Sequence, residues 1–315
     1  MVAGGALLGA STDIYFMMLG RILSGTGAVL LNVLLAKMVA DWFGDRDMVT
    51  AMGILIVSWP LGIALAMLTL PAFADLMGVS PVMYATAAVS LLCLVLVAWI
   101  YDQPESSRKA TSASLALKLT PKEFSLAILA GLVWTLYNAG LILVLAFGPD
   151  YLSSIGRDAI TAAAVVSLVG WLIIPSLAVG GWLSQRIDRP NLIIVSCLFV
   201  AALLTAMIPL GVTSPVLFVA LGLVFGPPGA IIMTLPVQAV RAEQRAISLG
   251  IYFTCYYIGM ALALPIAGLA RDTSSNAAAP LWVAAATLIL AVAALGIFRL
   301  LQRADHQPQR VLEDR

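Results

Sequence analysis

The sequence predicts an all-α fold: a polytopic membrane helix bundle of nine full transmembrane helices with a partial helix at the N-terminus. Three observations predict it. The 315 residues are 62% hydrophobic and 10% charged, with a mean hydropathy of +1.03. A soluble domain carries about 25% charged residues, and a chain of this size cannot hide the surplus in a core, because much of its surface stays exposed. Apolar runs recur along the whole chain at about 16–40, 49–74, 81–101, 122–147, 159–183, 191–211, 215–239, 247–270 and 280–301. Each is of the length that crosses a ~30 Å hydrocarbon core as a helix, roughly 20 residues. Finally, the alternating ten-residue strands of a membrane barrel are not seen, and backbone in lipid must pair its own hydrogen bonds, which leaves helices.

Taken in order, the chain opens with "MVAGGALLGA", Met1 to Ala10, about half a span. The second run contains a charge, Arg21, and an amide, Asn32. The third is interrupted by "SWPLG", with Pro60 and Gly62. After the fourth comes "DQPESSRKATSASLALKLTPK", Asp102 to Lys122, the longest internal loop, with the Ser/Lys/Pro make-up of a linker. Six further runs follow, interrupted by Pro175, Pro227, Pro228, Pro236 and Pro265. This gives an N-terminal bundle over 1–101, a linker over 102–121, a six-helix bundle over 122–302 and a tail over 303–315. Alternating sides from the loop "DWFGDRDM" puts 14 Lys and Arg on one side and only Arg157 and Arg271 on the other. Basic residues stay on the cytoplasmic side, so the linker and the tail are expected there, in a multi-pass bacterial inner-membrane protein.

Composition also removes function classes. A net charge of +1 argues against nucleic acid as a partner. Cys93, Cys197 and Cys255 lie inside apolar runs and the single histidine, His306, lies in the polar tail, so neither a disulfide set nor a metal site is expected. No cofactor motif is present, no phosphate-binding loop, and no acid or histidine in mid-span that could serve an enzyme. The expected partners are the lipid bilayer and a small-molecule solute, and the chain is expected to be monomeric.

An arginine at the bilayer centre costs about 2.5–3.5 kcal/mol on insertion scales. Arg21 could avoid this by snorkelling to the nearby loop. It could also face water, because Gly25, Ala28 and Asn32 all fall within about 40° of it on a helical wheel, one stripe of charge, small residues and amide. Trp134 and Asn138, four apart, share a face flanked by Tyr137. They suit either solute contact or packing, since an amide can bond a neighbouring helix. In "IYFTCYY", Tyr252 and Tyr256 share a face and Tyr257 lies off it, a pattern that favours packing. "GLVFGPPG", Gly222 to Gly229, suits close helix contact or a hinge at Pro227 and Pro228, and Pro60 with Gly62 suits a hinge as well.

The order of these features resembles the major facilitator superfamily, twelve-helix secondary transporters of two six-helix bundles. "RILSGTG", Arg21 to Gly27, is similar to the family's Arg-x-x-x-Gly-x-Gly pattern in its fourth helix. "GGWLSQRIDRPN", Gly180 to Asn191, looks like the family's loop between the eighth and ninth helices, with Gln185 in place of the acid and Asp188 in place of a glycine. "FGDRDMVTAMG" and "VRAEQRAISLG" read as corresponding loops of two repeats. "WTLYNAGLILVLAFGP" and "RAISLGIYFTCYYIGMALALPIAGLARD" resemble cyanate-permease-like members. The resemblance implies transport of a small solute by alternating access, with Arg21 drawing in an anion or sensing a proton-carrying partner. Arg21, Asn32, Trp134, Tyr137, Asn138 and Tyr256 would line one cavity, and Pro60, Gly62, Pro227 and Pro228 would bend. On this register Met1 falls midway through the family's third helix. The 315 residues are then expected to lack two and a half helices, as part of a longer reading frame or as a non-transporting remnant or regulator.

Overall fold

The structure, a computed structural model, describes residues 1–43, 47–102, 119–187, 189–241 and 244–303, apart from the side chains of 63, 64, 67, 68, 71, 72, 75, 184 and 185. Most of the linker, the tail and the loop positions Gln185 and Asp188 therefore lie outside what is described. Among the described residues every regular element is a helix: α1 (Val2–Ala10), α2 (Ile14–Phe43), α3 (Met48–Met77), α4 (Val79–Ile100), α5 (Pro121–Ser154), α6 (Ala159–Arg186), α7 (Pro190–Met207), α8 (Pro215–Ile232), α9 (Leu235–Gln238), α10 (Arg245–Ser274) and α11 (Ala279–Arg303). Eight candidate spans are long and apolar enough to cross a membrane, with α9 completing the one that α8 begins. The ninth expected run is α3, 30 residues long, with its described apolar stretch at Met48–Gly62.

Local chemistry sets the ends. Thr120 and Glu123 form a capping box: the Glu123 amide donates to Thr120 Oγ1 at 3.2 Å and the Thr120 amide to Glu123 Oε2 at 2.8 Å, with Pro121 at the first helical position. Asp158 caps α6 through the Thr161 amide at 2.9 Å, and hydrogen bonding from Thr161 holds its carboxyl below the usual range. The turns after α3, α5 and α7 use Gly78, Gly156 and Gly211 at φ of 84°, 95° and 94°, where a Cβ would be strained. One expected run differs: 215–239 is not one continuous helix but breaks at Met233–Thr234. Pro236 has no N–H to return to the Ile232 carbonyl, so the chain re-forms a turn with Thr234 Oγ1 on the Ile231 carbonyl.

The chain divides into two compact units. The first comprises Met1–Trp42 with the described part of Ser58–Leu115, and the second comprises Phe43–Val57 with the described part of Ala116–Arg315. The crossing at Val57–Ser58 lies inside α3, just before Pro60, so the start of α3 packs with the second unit.

In the first unit, α1 is held by its glycines. Side-chain atoms at Gly4 would collide with the Gly20 carbonyl and Ser24, at Gly5 with Ala87, and at Gly9 with the Tyr84 ring. Ser80 also donates to the Gly9 carbonyl. In the second unit, α5 packs against α6, α10 and α11, α6 against α8, and α7 against α8 and α11. The α6–α8 seam brings backbone to backbone: a Cβ at Gly222 would meet the Val169 carbonyl and one at Gly226 would meet Ser176. Without water to drive association, close approach of small residues is the main attraction between helices in lipid. Large apolar side chains such as Trp99 (83% exposed) and Leu300 (70%) stay outside this core. In water they would be a liability; the acyl chains of a bilayer are the solvent that suits them.

Candidate functional site

The second unit holds an aromatic cluster where α5 meets α10. Glycine makes the meeting possible: a Cβ at Gly131 would meet Tyr252 and Cys255, and a Cβ at Gly259 would meet Thr135. The Trp134 ring lies at the centre, with centroids of Tyr137 at 5.4 Å, Tyr252 at 6.1 Å and Tyr256 at 6.1 Å. Such ring pairs contribute about 0.5–1.5 kcal/mol each beyond their buried area. Tyr257 lies at the edge, 4.9 Å from Tyr256.

The hydroxyls and amides of this cluster are used unequally. Tyr137 is buried and donates to the Phe225 carbonyl at 2.7 Å, just before the Pro227–Pro228 pair of α8. Asn138 is half-buried and its Nδ2 donates to the Trp134 carbonyl of its own helix at 2.8 Å, leaving its amide oxygen to accept. Tyr256 is half-buried. Tyr252 is fully buried, and its hydroxyl has no hydrogen-bond partner among the described residues. Of the predicted residues, Trp134, Tyr137 and Tyr256 thus come together, with Asn138 one turn from Trp134. Tyr252, read from the sequence as packing, belongs to the same cluster. Its i, i+4 spacing to Tyr256 was the available signal.

Arg21 and Asn32 belong to the first unit, on α2. Arg21 is exposed and forms no ion pair with a described residue. Nothing stands within 4 Å of a Cβ built at Gly25, one turn along, while Ala28 and Asn32 are half-buried. The stripe is therefore open at its Arg21 end. The expected hinge residues differ among themselves. Pro60 and Gly62 lie in α3 at the crossing between units, with no described atom within 4 Å of a Cβ built at Gly62. Pro227 and Pro228 are fully packed, and the Pro227 backbone abuts Gly180.

The described ion pairs and arginine hydrogen bonds of the second unit lie at its two ends. At one end Arg271 pairs with Asp150, and Arg157 Nη2 donates to the Thr213 carbonyl at 2.8 Å. At the other, Arg299 donates to Asn191 Oδ1 at 2.8 Å and Gln302 Oε1 at 2.7 Å, and Arg241 pairs with Glu123 at 3.3 Å. No described group of three or more His, Cys, Asp or Glu could hold a metal ion.

A membrane helix bundle with a charged stripe in one unit and an aromatic cluster in the other has the parts of a solute carrier. The chain belongs to the Major Facilitator Superfamily, whose sequence profile matches residues 1–264. The family is one of transporters, so the protein is a multi-pass membrane protein of that class. Among solved structures, a major facilitator transporter, FucP, in the outward conformation aligns with a TM-score of 0.71 at 16% identity, covering 94% of this chain and 80% of that one. A single-substitution variant of the E. coli fucose:proton symporter FucP aligns with a TM-score of 0.71 at 15% identity, covering 94% and 81%. At such identities the likeness is one of fold. No curated protein sequence matches the chain.

Proposed function

We propose that the protein is a secondary active transporter that moves a small organic anion across a bacterial inner membrane by alternating access. The observation that carries this reading is Arg21, a permanent charge, exposed and without an ion-pair partner among the described residues, on an apolar helix of a transporter-family chain. A guanidinium there is costly unless water or an anion meets it, and its planar fork suits a carboxylate. Asn32 lies on the same stripe and offers an amide. Trp134, Tyr137, Asn138 and Tyr256, grouped in the second unit, supply contacts to the rest of the solute. Pro60 and Gly62, where α3 passes from one unit to the other, are the bending point; Pro227 and Pro228 shape the wall behind Tyr137. The monomer is the working form, its linker and tail are cytoplasmic, and cyanate-permease-like carriers are the relatives it resembles in its motifs.

The test is uptake into proteoliposomes holding the purified chain, with labelled monocarboxylates and an imposed pH gradient or membrane potential. Saturable, gradient-dependent uptake is expected. Arg21→Gln should lower it by about ten-fold or more, and Arg21→Lys should retain part, because a point charge attracts an anion but lacks the fork. Uptake unchanged in Arg21→Gln would overturn the role of the charge.

A further inference from the structure

A buried hydroxyl without a partner is a cost that the fold itself does not relieve. Tyr252 is 0% exposed, its ring stacks on Trp134, and its hydroxyl meets no acceptor among the described residues. Tyr137 already spends its proton on the Phe225 carbonyl. The cluster therefore presents flat π faces and at least one unspent O–H donor, and Asn138 adds a free amide oxygen one turn along. None of the residues in these ring contacts carries a charge.

That chemistry selects among solutes. An aromatic cage for a cation needs only bare π faces, whereas the Tyr252 O–H is a donor that calls for an acceptor. A purely apolar guest would leave the Tyr252 donor orphaned. A carbon skeleton bearing hydroxyl or carbonyl oxygens satisfies both surfaces: its C–H face lies on the rings, and its oxygens accept from tyrosine. We propose that the Trp134–Tyr252–Tyr256 cluster is the subsite for the hydroxylated carbon body of the solute, with the Tyr252 hydroxyl donating to one of its oxygens. Tyr256, half-buried, is the member that meets the outside. Combined with the reading of Arg21 above, on which the anionic half of this identity rests, the solute class is a hydroxylated monocarboxylate.

Three probes and one atom test this. Gluconate and hexanoate have the same charge and carbon count and differ in hydroxyls, and glucose has hydroxyls without the charge. Binding of each to the purified full chain in detergent is measured by isothermal titration, for wild type and Tyr252→Phe, which removes only the hydroxyl. The wild type should prefer gluconate to hexanoate. Tyr252→Phe should weaken gluconate by about ten-fold, the worth of a lost hydrogen bond to a selective site, and leave hexanoate unchanged. Its melting temperature without solute should equal or exceed that of wild type, since an orphan donor is gone. A lower melting temperature, or a variant that does not fold, would mean the hydroxyl has a partner in the fold and overturns the proposal. Equal binding of gluconate and hexanoate, untouched by Tyr252→Phe, overturns the subsite and leaves Arg21 standing. Glucose binding that depends on Tyr252, with neither acid bound, supports the subsite and removes the anion. Binding of none of the three overturns the subsite.

Discussion

Gly226 and Gly25 are the same residue type with opposite consequences. At Gly226 an added methyl group would run into Ser176 and the Leu177 amide. At Gly25 it would meet nothing within 4 Å. Gly226→Ala should therefore destabilise the protein by about 1–3 kcal/mol, as overpacking does, while Gly25→Ala should be neutral or stabilising, because alanine is the better helix former by about 1 kcal/mol. Thermal unfolding of both variants in detergent checks the contrast. The sequence pattern of "GLVFGPPG" announced close contact, which the neighbours of Gly222 and Gly226 supply, and spacing alone offered no way to choose between a seam and a hinge. Likewise, a helical wheel put Trp134 and Asn138 on one face, but the acceptor of Tyr137 is the Phe225 carbonyl on another helix. No periodicity encodes a partner that distant.

Helices were the most legible elements, because hydropathy alone marks a segment that lipid must surround. Their ends were less so. α5 continues from the expected boundary at 147 through Pro149 to Ser154, and α8 stops short at Ile232. The first is ordinary extension beyond an apolar run. The second follows from Pro236 and from Thr234, whose hydroxyl takes a local carbonyl. Two predictions belong at this scale. Thr120→Ala removes half of the capping box of α5 and should cost about 1 kcal/mol in a denaturant titration. Pro60→Ala restores a backbone donor in α3 at the crossing between units. If that crossing bends during transport, turnover should fall by about ten-fold while solute affinity holds, as for other conformationally gated steps, in uptake assays that separate the two constants. Turnover equal to wild type would remove Pro60 from the cycle.

For the molecule as a whole, the distribution of charge carries the prediction. The single basic side chains of two of the sparsely charged loops, Arg157 and Arg271, are both engaged within the second unit, on the Thr213 carbonyl and on Asp150. The opposite end gathers Arg241 and Arg299 with Glu123, Asn191 and Gln302. With cytoplasmic loops enriched in Lys and Arg, a phosphatase fused after Arg315 should be inactive and a fluorescent protein there bright; the reverse pattern would invert the topology. On sequence alone the chain divides at the long polar linker, Asp102 to Lys122. What the sequence could not reveal is that Phe43–Val57 packs with the second unit. Its contacts, Gly53 with Ala230 and Thr50 with Gly181, join positions far apart in the chain whose only common mark is small size.

One arrangement has a consequence for how the chain is made. Helix α5 finds its main neighbours in α10 and α11, which leave the ribosome after it, since synthesis runs from the N-terminus. In the interval α5 must reside in lipid without them. Its polar side chains are prepared for that wait. Ser125 donates to the Pro121 carbonyl, Thr135 to the Gly131 carbonyl and Asn138 to the Trp134 carbonyl, all at 2.8 Å and all within its own helix. None of the three needs a late-arriving partner to be satisfied. Away from the helix ends, where Glu123 and Asp150 later pair with Arg241 and Arg271, Tyr137 does depend on a later segment, and its acceptor lies in α8, which is translated before α10 and α11.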